Sequence, residues 1–394
     1  MTRALLWATA VVAVVALAAG CTASKRSGTR WEKDLYYTHR LHIDGQSALA
    51  AKRFETLQKR ASNPADADEA AMMACEALRR DKAWSRAAAC FDQLAIAAHT
   101  PNRRTRALLH AAQIRYDGIG ERDLAMVMLA QLIRRAPQTP AGLRAIDWLT
   151  REGRRNHSTA RKMIALMLRL ERENPDSQLA DNLLLRAAML LRDFGTDDAR
   201  RRAIIILERM ARHHRHSSAL LPGLILRARL HRHFAEPIPE ARTLRAVVRT
   251  HETSHIFGTY IEPDHIHAME RLVELYAGLL RQPDRAEAMI GRLRSIGHRP
   301  KRIYAYLAAL AALREGAGDF EGALSTWREL VETASDAAKD MRANDERICK
   351  ESNDRHKRLD CLKKVRAFGP LPIKELPRAR AAIARLSRRT GAGQ

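Results

Sequence analysis

Apolar residues recur along this chain at intervals that fit one face of an α-helix. A small residue, replaced once by methionine, is followed by large apolar residues four and seven positions later, and in two copies a proline stands twelve positions later. Residues at these offsets share one helix face, and the proline ends the helix because it lacks the backbone N–H. The six copies begin at Ala87, Ala125, Met163, Ala203, Ala286 and Ala323.

Directly successive copies are 37 to 40 residues apart, which leaves room for a second helix in each interval. No segment has the alternating pattern of a β-strand, so the sequence predicts an all-α chain. We expect leading helices within 31–60 and a last helix at 375–389 that caps the array. The predicted helix pairs are 65–98, 101–136, 139–173, 177–214, 217–252, 264–297 and 300–335.

One copy is especially clear, since Leu307-Ala308-Ala309-Leu310-Ala311 is followed by Gly318-Asp319-Phe320-Glu321-Gly322-Ala323. This turn and the repeat spacing resemble tetratricopeptide repeats (TPRs). The resemblance implies a right-handed TPR-like α-solenoid of about seven helix pairs with a C-terminal capping segment. It also implies a scaffold or adaptor whose groove binds a peptide or helix of a partner, without catalytic residues or cofactors.

A second resemblance comes from Asn174-Pro175-Asp176-Ser177-Gln178-Leu179-Ala180-Asp181. Pro175 ends one helix, and Asp176 or Ser177 can cap the next. The segment resembles the joint in outer-membrane assembly lipoproteins of the BamD type and in Tol–Pal-associated periplasmic repeat proteins. It implies a role in envelope or outer-membrane assembly.

The N-terminus has the pattern of an export signal. Met1-Thr2-Arg3 is basic, residues 4–19 are mostly apolar, and small residues precede Cys21, which predicts a signal peptide at 1–20. Leu17-Ala18-Ala19-Gly20-Cys21 resembles a bacterial lipoprotein signal, which implies cleavage before Cys21 and lipid attached to it. An ordinary secreted protein is the alternative. Thr22, in place of Asp, implies by the same resemblance an outer-membrane location facing the periplasm.

The domain organisation follows from these patterns. Residues 21–30 are predicted to be a flexible tether, because they are small, polar and basic without apolar periodicity. We expect an N-terminal TPR-like array at 31–252 and a C-terminal one at 264–335, separated by an irregular connection. Residues 336–394 are predicted to form a charged helical cap.

The charge indicates an anionic partner. The chain has 69 Lys and Arg against 45 Asp and Glu, a net charge of +24. We expect an acidic protein or peptide that binds in a basic TPR-like groove, where Arg side chains would donate hydrogen bonds to its carboxylates. Anionic envelope polymers or lipids are the alternative, unless the charge is spread evenly. Nucleic acid is not expected, since the chain is exported and has no nucleic-acid-binding module. The run Arg200-Arg201-Arg202 is interpreted as a solvated helix start.

Four cysteines besides Cys21 occur as two local pairs in an exported chain, where disulfides persist. Three disulfide connectivities are possible. Cys75–Cys90 with Cys349–Cys361 joins the cysteines that are nearest in sequence, and free buried thiols are the alternative. Neither pair has the Cys-x2-Cys spacing of a zinc site.

One motif raises the alternative of a zinc metallopeptidase, His251-Glu252-Thr253-Ser254-His255. On a helix, His251 and His255 would bind zinc with Glu252 as general base, and Glu262, Glu270 or Glu274 could be the third ligand. The supporting sheet has no counterpart, and the 213–267 region is rich in histidine. We therefore expect that the protein is not an enzyme and that it has no small-molecule substrate.

Overall fold

The computed structural model describes residues 29–251, 263–297, 300–351, 357, 361, 363 and 373–390. These residues form 17 α-helices and contain no β-strand, so the prediction of an all-α chain is confirmed. No described helix combines the length and the apolar character needed to cross a bilayer. The helices fall into two compact units, Met1–Ile206 and Leu207–Gln394.

The first unit is a stack of helix pairs. Consecutive helices from α1 to α9 pack against each other, and α3 also packs with α5, α5 with α7, and α7 with α9. This is the packing of an α-solenoid, in which each pair contacts its neighbours. The helices are α1 Thr29–Ile43, α2 Ser47–Arg60, α3 Pro64–Arg80, α4 Trp84–Ala97, α5 Pro101–Ile114 with a π-helical turn at Arg115–Ile119, α6 Arg122–Arg135, α7 Pro140–Gly153, α8 His157–Glu173, α9 Ala180–Asp193 and α10 Asp197–His213, in which the division between the units falls.

The second unit has the same kind of packing. Consecutive helices from α11 to α17 contact one another, α13 also packs with α15, and one apolar core extends from Leu224 to Leu386. The helices are α11 Leu220–His233, α12 Pro237–His251, α13 Pro263–Ala277, α14 Pro283–Ser295, α15 Pro300–Gly316, α16 Phe320–Lys350 and α17 Leu376–Thr390. The last helix packs on α16, at the place where a cap was predicted.

The repeated apolar pattern marks the buried face of the second helix in six of the pairs. All its apolar positions are buried, from Ala87, Phe91 and Leu94 in α4 to Ala323, Trp327 and Leu330 in α16. Each fully buried Leu or Phe side chain contributes about 1.5–3 kcal/mol to folding. These positions therefore hold each helix in the stack.

Two local details differ from the sequence-based expectations. First, α16 continues to Lys350, past the predicted end at 335, because residues 336–350 contain no Pro or Gly to end a helix. Second, neither Asp176 nor Ser177 caps α9. Its N-cap is Leu179, whose amide donates to Ser177 Oγ over 3.1 Å, so Ser177 stabilises the turn before the helix.

Candidate binding groove

A groove of about 570 Å³ lies between α8, the end of α9 and the start of α10, within the first unit. Apolar side chains line its floor: Ile164, Ala165, Leu168, Leu191, Phe194 and Ala199. Four guanidinium groups surround this floor: Arg161, Arg169, Arg172 and Arg202. We call this set of residues the arginine groove; Thr196 and Asp198 complete its lining.

The helical repeat of α8 places the basic side chains together. Arg161, Ala165, Leu168 and Arg172 follow one another at intervals of three or four residues, so they share one face of the helix. Positions on another face, such as Met167, are buried in the core. Packing of α8 into the stack therefore fixes the direction of the basic face, and Arg202 on α10 meets it from the other side.

The four arginines of the groove form no ion pairs within the described part of the chain, although Arg169 interacts electrostatically with Glu173 in the same helix. None makes an ion pair or a side-chain hydrogen bond among the described residues, and Asp198 is the only acidic residue in the lining. Arginines elsewhere in the same unit are paired across consecutive helix pairs. Arg134 contacts Glu173 at 2.6 Å, and Arg154 contacts Asp193 at 3.2 Å.

The arrangement can bind a ligand that is apolar on one side and anionic at its edges. Guanidinium groups offer planar, paired N–H donors that match the geometry of carboxylates and phosphates. Apolar floor residues can bury a hydrophobic side chain of the ligand and exclude water from these hydrogen bonds. The arginine groove therefore has the composition of a binding site for an acidic amphipathic segment.

A second cavity of about 390 Å³, between α11, α12 and α13, is different because much of its charge is internally neutralised. Buried Glu240 accepts hydrogen bonds from Arg271 Nε and Nη2 at 2.8 and 3.2 Å. Buried Glu270 is paired with Arg302. These hydrogen bonds raise the pKa of both guanidinium groups, and they leave less free charge for a ligand than the arginine groove has.

Four cysteines form two disulfides in the described part of the chain. A disulfide joins Cys75 on α3 to Cys90 on α4, with their Cα atoms 5.5 Å apart. Another joins Cys349, near the end of α16, to Cys361, with the Cα atoms 5.6 Å apart. Cys21 lies outside the described residues and remains a predicted lipidation site.

The zinc-peptidase motif also lies largely outside the described part of the chain. The backbone of His251 ends α12, whereas Glu252, His255 and Glu262 lie beyond it. Two suggested third ligands have partners of their own, since Glu270 pairs with Arg302 and Glu274 with Arg271. No group of three metal-ligating side chains occurs among the described residues.

The sequence predicted a basic groove but not which arginines would line it. Arg202 was expected at a solvated helix start, and no role was predicted for the arginines of α8. The available signal was the basic spacing at Arg161 and Arg172 beside the apolar pattern of the same helix. Which arginines stay unpaired depends on acidic residues in neighbouring repeats, as the pair Arg134–Glu173 shows.

No protein-family model matches this sequence. No curated protein matches it. Among solved structures, the chain is similar to the C-terminal part of a TPR repeat-containing protein from Cytophaga hutchinsonii, with 10% identity, a TM-score of 0.38, and coverage of 66% of this chain and 95% of that one. It is also similar to a tetratricopeptide repeat protein from Parabacteroides merdae, with 13% identity, a TM-score of 0.26, and coverage of 86% and 100%. TPR-like repeats of a kinesin light chain from Podospora anserina match with 11% identity, a TM-score of 0.31, and coverage of 49% and 94%. The assignment as an all-α solenoid rests on the helix packing described above.

Proposed function

We propose that this chain is a protein-binding scaffold, and that its arginine groove takes an acidic amphipathic segment of a partner protein. One observation supports the proposal above all: four unpaired guanidinium groups surround an apolar floor. Leaving them unpaired favours binding of an external anion, because no ion pair or side-chain hydrogen bond within the described protein occupies their N–H donors. No cofactor or catalytic group enters this function.

An amphipathic helix satisfies the groove better than a uniformly acidic chain. Its apolar side chains would cover Leu168 and Phe194, while Glu or Asp at its edges would reach the arginines. Hydrogen bonds to charged groups contribute about 1.5–3 kcal/mol each when water is excluded. Recognition by an apolar groove with charged edges is a common way of binding a partner helix.

We further propose that Cys21 carries the lipid and that the scaffold is held at the outer membrane, facing the periplasm, in envelope or outer-membrane assembly. The signal sequence before Cys21 and the joint at 174–181 support this location. The mass of the mature N-terminal peptide tests it directly. An unmodified Cys21 in protein recovered from cell membranes would contradict the anchoring.

Binding by the groove can be tested with a synthetic 18-residue helix that has Leu on one face and Glu at both edges. Fluorescence anisotropy should show affinity about a hundredfold lower for Arg161→Gln/Arg172→Gln, since two charge-assisted contacts of at least about 1.5 kcal/mol each are lost. Arg104→Gln/Arg144→Gln is the matched control, because it removes two exposed arginines of the same unit that line neither cavity. Equal losses in both variants would contradict a specific groove.

The peptide also separates this function from the alternative, binding of anionic polymers. Replacing Leu by Ala in the peptide should abolish binding to an amphipathic site. If the Ala peptide and dextran sulfate bind as well as the Leu peptide, and both are released by moderate salt, the groove is a polyanion site. That outcome would refute recognition of an amphipathic helix.

A further inference from the structure

The first helix presents an exposed face that combines aromatic and basic side chains. Tyr36 and Tyr37 are 61% and 63% exposed, and their rings contact each other edge to face at 5.8 Å between centroids. Lys33 and Arg40, at helical spacing from the tyrosines, are exposed as well. Ile43 extends the same side of the helix and is 51% exposed.

The opposite face of α1 is fixed to the body of the protein. Trp31 is buried, and its indole N–H donates to the backbone oxygen of Leu57 on α2 over 3.1 Å. Thr38 is buried on the same side as Trp31. The orientation of the aromatic and basic face is therefore set by packing.

This face carries free positive charge. Lys33 and Arg40 make no ion pair within the described part of the chain. Two acidic residues of α1 have partners of their own: Asp34 pairs with Arg60 at 3.1 Å, and Glu32 is half-buried with another partner. Asp44, which is exposed one turn after Arg40, lies at helical spacing from the face. The two basic side chains outnumber this carboxylate, so the face still attracts anions.

The sequence places this face close to the predicted lipid. Eight residue steps separate Cys21 from Thr29, where α1 begins. Even fully extended, a chain of that length spans about 27 Å. A lipid on Cys21 would thus hold α1 within that distance of the bilayer.

We infer that the exposed face of α1, consisting of Lys33, Tyr36, Tyr37, Arg40 and Ile43, lies on an anionic lipid surface. The inference rests on the lipid anchoring proposed for Cys21. Tyrosine has an apolar ring and a polar hydroxyl, which suits the boundary between headgroups and acyl chains. Lys33 and Arg40 contact the phosphates, so that the lipid and the basic face together form two anchoring signals.

Flotation with lipid vesicles tests the inference. The polypeptide from residue 21 onward, produced without lipid, keeps every described helix, so any binding comes from the protein surface. It should float with vesicles of phosphatidylcholine containing one-third phosphatidylglycerol and remain unbound with phosphatidylcholine alone. Lys33→Gln/Arg40→Gln should bind about thirty-fold more weakly, since each basic residue near an anionic surface changes the affinity about fivefold.

Two further variants separate the face of α1 from the general charge of the protein. Arg104→Gln/Arg144→Gln removes the same charge elsewhere and should lose less than threefold. Tyr36→Ser/Tyr37→Ser keeps the charge and should bind about tenfold more weakly, because the rings no longer enter the interface. Circular dichroism checks that each variant keeps its helices.

Equal losses in the two charge variants, or no loss in the tyrosine variant, would overturn the inference. The result is independent of lipidation, which the mass of Cys21 reports separately. Weak flotation together with a lipidated Cys21 would leave the anchor and remove the contact of α1. Loss of the α1 contact would also leave peptide binding by the arginine groove unaffected. Failure of this inference can therefore be distinguished from failure of the proposed function.

Discussion

The ion pair between Arg271 and Glu240 offers a quantitative test of how the second unit is held together. Glu240, on α12, is 3% exposed, and both its carboxylate oxygens accept hydrogen bonds from Arg271 on α13. Among the described residues, Glu240 has no other side-chain partner. Replacing Arg271 by Met keeps much of the side-chain volume but leaves a buried carboxylate unpaired.

The loss of stability can be estimated from this geometry. Removing one partner of a buried ion pair costs about 3–5 kcal/mol. We expect about 3 kcal/mol, the lower end of that range, because the Arg271 side chain is 22% exposed and water can replace part of it. Hydrogen–deuterium exchange is the suitable assay, since it reports the opening of α12 and α13 separately from the first unit. Their slowest amides should exchange about a hundredfold faster.

The double variant provides a second readout. Glu240→Gln/Arg271→Met removes the unpaired carboxylate and should recover part of the loss. Arg380→Met, which removes an exposed arginine from α17, should have little effect. Exchange less than fivefold faster in Arg271→Met, or no recovery in the double variant, would refute the reasoning.

Three further predictions concern the first unit. Cys75→Ala/Cys90→Ala should lower the free energy of unfolding in urea by about 3 kcal/mol, since the disulfide closes a loop of 15 residues. Burial lowers the pKa of His110; stability should therefore fall as pH drops below about 6.5, and His110→Phe should flatten this part of the urea-midpoint profile. Burial and a hydrogen bond to Glu152 raise the pKa of Tyr116 to about 12. The unfolded tyrosine ionises first, so stability should fall between pH 10 and 12, and Tyr116→Phe should lack this loss in alkaline unfolding scans.

The sequence predicted the helices well because the spacing of apolar residues indicates which positions are buried on one helix face. Small and large residues at offsets of four and seven, such as Ala125, Leu129 and Leu132, can share a face only in a helix, and all three are buried. The predicted end of α16 at 335 was wrong. It relied on the repeat length, whereas the lack of Pro and Gly in residues 336–350 already favoured a longer helix.

The arginine groove could not be read from the sequence, because it depends on contacts between repeats. Arg172 and Arg134 both lie near the C-terminal end of the second helix of a repeat. Arg134 nevertheless contacts Glu173, while Arg172 lines the groove without an ion pair among the described residues. The distinction arises from which acidic residue the next helix pair places nearby. The predicted cap of α9 also depended on local geometry. The Ser177 hydroxyl accepts a hydrogen bond from the amide of Leu179, the N-cap residue, and so it stabilises the turn before the helix.

The free guanidinium groups of the arginine groove also affect the energetics of the protein without its ligand. Like charges gathered around one apolar floor repel each other, so the empty scaffold folds against a penalty that the proposed anionic helix would relieve. Substitutions that neutralise Arg161 or Arg202 should consequently raise the melting temperature while they weaken the proposed recognition.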